Sequence, residues 1–333
     1  MREGILTIEQ QVLTAPDPAS DLMPVNTDSF WEGLLEILAE ALPQIMPSMS
    51  ECLNVCLSVL AVVLLLSILE TLPGNSKRAA DLTGCAAIGM LLLRPANSLI
   101  QLGVDTIQNV SEYCKLLLPV MTAALAGSGG TTTSAALYAG TAVFDALLTS
   151  LISNLIIPIL YVFLCFSIMN SALGNDTLKK LSAFMKWLAT WSIKIILYTF
   201  TGYISITGVI SGTTDAAALK ATKLTISGMV PVVGGILSDA SEAILVGAGF
   251  VRNTTGIYGL LAITALCIRP FLKIGAQYLL LKSTGAVSSI FGSKRCVTLI
   301  QDFTWIMGLL LAMTGTGCLM VVLSVICFMR GVG

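Results

Sequence analysis

The chain has no histidine and little charge: Asp, Glu, Lys and Arg make up 11% of its 333 residues, where a soluble domain carries roughly a quarter. Without histidine the commonest general base and the commonest zinc ligand are missing. The nine cysteines form no CxxC pair. Cys52, Cys56, Cys165, Cys267, Cys318 and Cys327 lie in apolar runs, where a thiol serves as a small hydrophobe. No GxxxxGK[ST] phosphate loop occurs. No basic patch with interleaved aromatics marks a nucleic-acid surface, and the net charge of −1 offers no polyanion attraction. Met1-Arg2-Glu3 is not followed by the apolar core of a signal peptide. These absences lead to the expectation of a protein that is not an enzyme, holds no cofactor or metal, and binds no nucleic acid.

What is abundant is apolar sequence. Hydrophobic residues make up 55% of the chain and the mean hydropathy is +0.88. Cys52–Leu69, Ala146–Asn175 and Phe303–Met329 are almost or wholly uncharged, and about 20 helical residues suffice to cross a bilayer core. The expected fold is therefore an all-α polytopic membrane protein, a helical bundle. The charges are placed unevenly. Residues 1–51 hold nine acids against Arg2 alone, while the rest has ten acids and seventeen basic residues. Segments poor in Lys and Arg are translocated more readily than basic ones, so residues 1–51 read as an acidic extracytoplasmic arm.

Within that arm, Pro16, Pro18 and Pro24 keep the first 28 residues extended. Ser29 followed by Glu32 has the form of a capping box. Phe30, Leu34, Ile37, Leu38, Ala41, Leu42 and Ile45 then share one face, predicting an amphipathic helix that ends near Pro43 or Pro47. Two spans follow in residues 52–113: Cys52–Leu69, and about Asp81–Leu102, interrupted by Arg94-Pro95. Lys77-Arg78 in the turn between them points to the cytoplasm.

The remainder reads as two tandem copies, residues 114–212 and 226–330. Pro119 in LLPVMTA matches Pro231 in MVPVVGG, and Pro158 in IIPILYVF matches Pro270 in IRPFLKIG. Lys179-Lys180 before Thr190-Trp191 matches Lys294-Arg295 before Thr304-Trp305. Lys179, Lys180 and Lys186 in one copy, and Lys282, Lys294 and Arg295 in the other, are expected between spans on the cytoplasmic side. The copies then run parallel.

After its first proline each copy carries a small-residue break, where the four prolines are expected to interrupt helices. The first contains Gly127, Gly129, Gly130, Thr131 and Ser134; the second contains Gly234, Gly235, Ser238, Asp239 and Glu242. Irregular backbone inside hydrocarbon is tolerated only beside protein or a water-filled cavity. Broken or re-entrant helices of this kind line pores and coupling sites. Ala126, Gly130 and Ser134 equally fit the small-xxx-small spacing of a close helix pair, and the second stretch fits a loop outside the membrane. Asp239 and Glu242, three apart, would face water, a partner or a pore if they lie in the membrane. Asp145 is expected to face the bundle interior, and Lys194 either the interior or, beside Trp187 and Trp191, the interface. Arg94 and Arg269, each before a proline, read as structural.

The run LLPVMTAALAGSGGTTTSAAL, with SGMVPVVGGILSDASEAILVGAGFVRNTTGIYG a hundred residues later, resembles the stage III sporulation protein AE family of endospore-forming Firmicutes. The resemblance extends from about residue 30 to the end. It implies a permease-like component of the channel, or feeding tube, that joins mother cell and forespore after engulfment. It places the chain in the mother-cell membrane around the forespore, with the acidic arm in the intermembrane space. Implied partners are other membrane proteins of the stage III A sporulation operon, its cytoplasmic ATPase and a forespore membrane protein. Family members typically start with a cleavable signal sequence. Two other readings stay open: a stand-alone secondary transporter of a small solute, and a non-conducting membrane scaffold of the same complex.

Overall fold

The computed structural model describes residue 22 and residues 30–70, 77–174, 176–229 and 234–330; side-chain surroundings are described for these except residues 70, 77–80, 176, 208–229 and 234–252. Among the described residues the regular structure is all helical: α1 (Phe30–Glu70), α2 (Lys77–Gly127), α3 (Thr131–Leu151), a π-helical turn (Ile152–Ile156), α4 (Ile157–Leu173), α5 (Asp176–Met229), α6 (Gly234–Phe291) and α7 (Lys294–Arg330). Among the described residues five segments are long and apolar enough to cross a membrane; they lie in α1, in α2, in the rod formed by α3 and α4, in the later part of α6, and in α7. The protein is thus a multi-pass helical membrane protein.

Several expected boundaries are absent. The amphipathic helix and the first span are one helix, α1, which runs through Pro43 and Pro47. Its buried stripe continues past both prolines, from Ile37, Ala41 and Ile45 to Cys56, Val59 and Val63, against α2 and α6. Each proline removes one backbone hydrogen bond, but packing on both sides carries the helix across it. For the same reason α2 continues through Arg94-Pro95 and Pro119, and α6 through Pro270. Pro119 and Pro270, expected to interrupt helices, do not end them. Around Pro119, Leu117, Leu118 and Met121 are all buried. The boundary drawn at residue 113 also falls inside α2.

Pro158 acts differently. It stands in the first turn of α4, just beyond the π turn, where the Ile157 amide donates to the Ile152 carbonyl five residues back. A proline has no N–H for the carbonyl four residues earlier, and its ring crowds that group. The widened turn absorbs the misfit, so α3, the turn and α4 follow one another without a loop. Pro231 lies outside the described residues.

The first glycine-rich stretch is a tight turn that closes the α2–α3 hairpin. Gly130 N–H donates to Leu125 O at 3.0 Å and Gly129 N–H to Ala126 O at 3.0 Å. Those two bonds, with Gly129 at φ 97°, make the Schellman stop that a C′ glycine permits. Ala126 therefore lies in the last turn of α2 and Ser134 in the first turn of α3, so the four-residue spacing does not describe one helix face. Ser134 is buried, its hydroxyl donating to Thr131 O at 2.9 Å. Gly129→Ala is expected to lower stability by about 1 kcal/mol through its left-handed backbone. Gly127→Ala, at an exposed helical position, should be neutral or mildly stabilising. Thermal unfolding in detergent reads both, and equal behaviour of the two would refute the assignment. Gly234-Gly235 likewise stands at a helix start, that of α6. The side chains of Ser238, Asp239 and Glu242 lie outside the described residues.

α7 is the pillar of the bundle, packed on α2, α3, α4, α5 and α6. Leu299, Phe303, Ile306, Leu310 and Met313 are all buried, as expected for a helix that is apolar around its circumference. Arg295 at its start lies 3.9 Å from Asp81 of α2 and donates to Ala172 O of α4 at 3.3 Å. Gly292, between α6 and α7, sits against Val63 of α1. Three chain reversals, α1–α2, α4–α5 and α6–α7, therefore meet at one end of the bundle, which carries Lys179, Lys180, Lys294 and Arg295 and is called the basic end below. Helices α2, α5 and α6 have 51, 54 and 58 residues. At 1.5 Å per residue they trace about 75–87 Å, more than twice a ~30 Å hydrocarbon core. The bundle must extend beyond the bilayer.

Candidate functional site

Helices α1, α2 and α6 pack side by side, and between them lie two cavities of about 450 and 350 Å³. Glu51, Arg94, Ser98, Lys273 and Gln277 line the first. Asp105, Asn109, Arg269 and again Lys273 line the second, so Lys273 joins the two into one polar crevice. Counted along their own helices from the basic end, Glu51, Arg94 and Lys273 all stand at about 26–28 Å. Three residues remote in sequence thus form one charged level. Arg269 and Asp105 lie farther out, at about 33 and 42 Å.

The chemistry of the crevice follows from its walls. Pro95 lines the first cavity and Pro270 the second. Because proline supplies no N–H, the carbonyl of Leu266, also in the second wall, loses its regular helical donor. Glu51, Arg94, Lys273 and Asp105 form no salt bridge; the two among the described residues are Lys186–Asp302 and Arg295–Asp81. Charges within a membrane bundle pair with one another or face water, so charges of both signs left unpaired around a cavity call for water or a ligand. Gln277 is 1% exposed, yet its side-chain oxygen has no hydrogen-bond partner. Buried amides are almost always satisfied.

A second polar cluster lies deep between α4, α5 and α7. Lys186 Nζ is 2.7 Å from Asp302 Oδ1, and Ser167 Oγ donates to Oδ2 at 2.5 Å. The ammonium also sits 5.2 Å from the Phe163 ring centre and 5.4 Å from that of Trp305. Lys186 lies within α5, where a buried carboxylate on α7 holds it. The pair ties α5 to α7. A third feature is Asp145, which accepts from Ser111 of α2 at 2.6 Å and so faces the bundle interior as expected. Lys194 is exposed along with Trp187 and Trp191, which fits the interface position.

Of the residues expected to form a pore wall, the first set lies away from the crevice. Gly127, Gly129, Gly130, Thr131 and Ser134 are at the α2–α3 turn, and Gly127 is about 50 Å along α2 from Arg94. Sequence reading passed over Arg94 and Arg269 as structural and singled out neither Glu51 nor Lys273 nor Asp302. For the arginines the signal was present: an Arg-Pro pair inside a span supplies a charge and a disturbed backbone at one place.

Fold and site together define an α-helical, multi-pass integral membrane protein with charged groups gathered between its spans. The family model for stage III sporulation protein AE matches residues 22–331, and the chain belongs to that family. It is similar to stage III sporulation protein AE of Bacillus subtilis (strain 168), 25% identical over 214 residues that make up 64% of this chain and 53% of that protein. The matched part thus spans about half the length of that relative. No solved structure matches the chain.

Proposed function

We propose that the chain is a non-enzymatic, permease-like component of the channel that joins mother cell and forespore during sporulation. The observation that carries the reading is the crevice: charges of both signs, unpaired, at one level between three membrane helices of a sporulation-family protein. By the positive-inside rule the basic end faces the mother-cell cytoplasm. The crevice then opens toward the intermembrane space, where the surplus helix length also projects. In this arrangement the other stage III A membrane proteins and a forespore membrane protein meet the projecting face. The operon's cytoplasmic ATPase meets the basic end and uses the ATP.

The test is spore yield from cells whose only copy carries Arg94→Gln with Lys273→Gln. Yield should fall at least about tenfold, the scale on which truncating charged partners acts, with membrane level and partner co-purification unchanged. A normal yield would move the non-conducting scaffold to the front. A parallel strain with Asp239→Asn and Glu242→Gln tests the tandem-repeat reading, in which a second glycine-flanked stretch supplies acids to the path. Solute uptake by the purified chain alone in liposomes would favour the stand-alone transporter instead.

A further inference from the structure

We infer that the crevice between α1, α2 and α6 is a binding site for a zwitterionic group, an anionic carboxylate or phosphate joined by a short link to a primary ammonium. This deepens the reading of the crevice given above and rests on it. The geometry supplies a cationic side from Arg94 and Lys273, an anionic side from Glu51, and the unsatisfied Gln277 amide in the same wall. Glu51 lines the same cavity as Arg94 and Lys273 but joins neither in a salt bridge, so neither sign is spent on the other. A simple anion would meet Glu51 unfavourably, and a simple cation would meet Arg94 and Lys273. A zwitterion satisfies both sides at once and gives the Gln277 oxygen an N–H donor. The 450 Å³ of the first cavity is within the range of small-molecule sites. Binding is the whole of the assignment.

Two sources carry this chemistry: a free amino acid, and the headgroup of phosphatidylethanolamine entering from the outer half of the bilayer. The full chain, purified in detergent and stripped of lipid, would be titrated with the protein L-amino acids one at a time, then with acetate and with ethylamine. It would then be placed in nanodiscs of phosphatidylethanolamine or of phosphatidylglycerol, with thermal unfolding and native mass spectrometry as readouts. At least one zwitterion should bind, with acetate and ethylamine weaker by at least about tenfold because each leaves one charged side unsatisfied. Binding of amino acids identifies a solute site; retention of phosphatidylethanolamine alone identifies a headgroup site. Lys273→Gln should abolish zwitterion binding, while Glu51→Gln should weaken it and strengthen acetate. Gln277→Leu should weaken the zwitterion without improving acetate. Absence of any zwitterion binding, or titrations unchanged in Lys273→Gln and Glu51→Gln, overturns the assignment. Spore yield of the Arg94/Lys273 strain is read separately, so a crevice needed for sporulation that binds no zwitterion sinks the ligand and leaves the channel reading standing.

Discussion

Lys186→Met is expected to destabilise the bundle by about 3–5 kcal/mol, the cost of leaving one partner of a buried ion pair alone. The Asp302 side chain is 9% exposed and spends both oxygens on named donors, Lys186 at 2.7 Å and Ser167 at 2.5 Å. Removing the ammonium leaves one hydroxyl to support a buried carboxylate. It also withdraws the cation packed near the Phe163 and Trp305 rings, a contact of about 0.5–2 kcal/mol depending on desolvation. Asp302→Asn should cost less, about 1–2 kcal/mol, because the Lys186 side chain is 31% exposed and its flexible stem can carry the charge to solvent. Lys186→Met combined with Asp302→Leu should recover much of the loss, since apolar replacement of a whole buried pair is often near neutral. Unfolding midpoints of Lys186→Met, Asp302→Leu and the double variant in detergent close the cycle. Additive losses in the double variant would show that the pair is not coupled.

The membrane class and all-helical character were legible in composition, because long uncharged runs admit few other structures. Helix ends were not, and the prolines show why. Host–guest scales put proline at about 3 kcal/mol in a helix interior, which predicts stops at Pro43, Pro47, Pro119 and Pro270. In the bundle each of these helices is packed on both sides of its proline, and that packing outweighs one missing hydrogen bond. The glycine-rich stretch raised a different ambiguity. Its local chemistry fixes a turn at Gly129, but nothing local says whether the turn lies within a span or at the end of a helix hairpin. Pro158 and Pro270, matched as repeat anchors, occupy unlike surroundings, a π turn in one case and an uninterrupted α-helix in the other. The crevice was the least legible feature. Glu51, Arg94 and Lys273 are scattered through the chain, and only the common height of three helices above the basic end collects them. Asp302 hid for a related reason: it lies close behind Lys294-Arg295, where a lone acid reads as part of a polar helix end until α4 and α5 are placed around it.

Gly140→Ala is expected to cost about 1–3 kcal/mol, the usual penalty for overfilling a packed site, although alanine is the better helix former by about 1 kcal/mol. A Cβ at Gly140 would overlap Cε1 of Tyr203 and fall 2.6 Å from its Cζ, so the ring has to move. The ring is held on two sides. Its hydroxyl donates to Ala136 O at 2.8 Å, and its centre lies 5.7 Å from that of Phe144. Displacing it breaks the bond to Ala136 and opens the α3–α5 contact beside Thr141, whose hydroxyl is 2.7 Å from that of Ser324 on α7. Gly140→Leu should be worse than Gly140→Ala, because no single ring movement makes room for the longer side chain. The sign of the alanine effect is set by one obstacle and is therefore reversible. With Tyr203→Val already in place, the ring is gone and the helix preference of alanine remains, so Gly140→Ala should become neutral or stabilising. Unfolding midpoints of Gly140→Ala in the two backgrounds measure this directly. An equal penalty in both would mean that the glycine is required by the backbone itself and not by the close approach of α5.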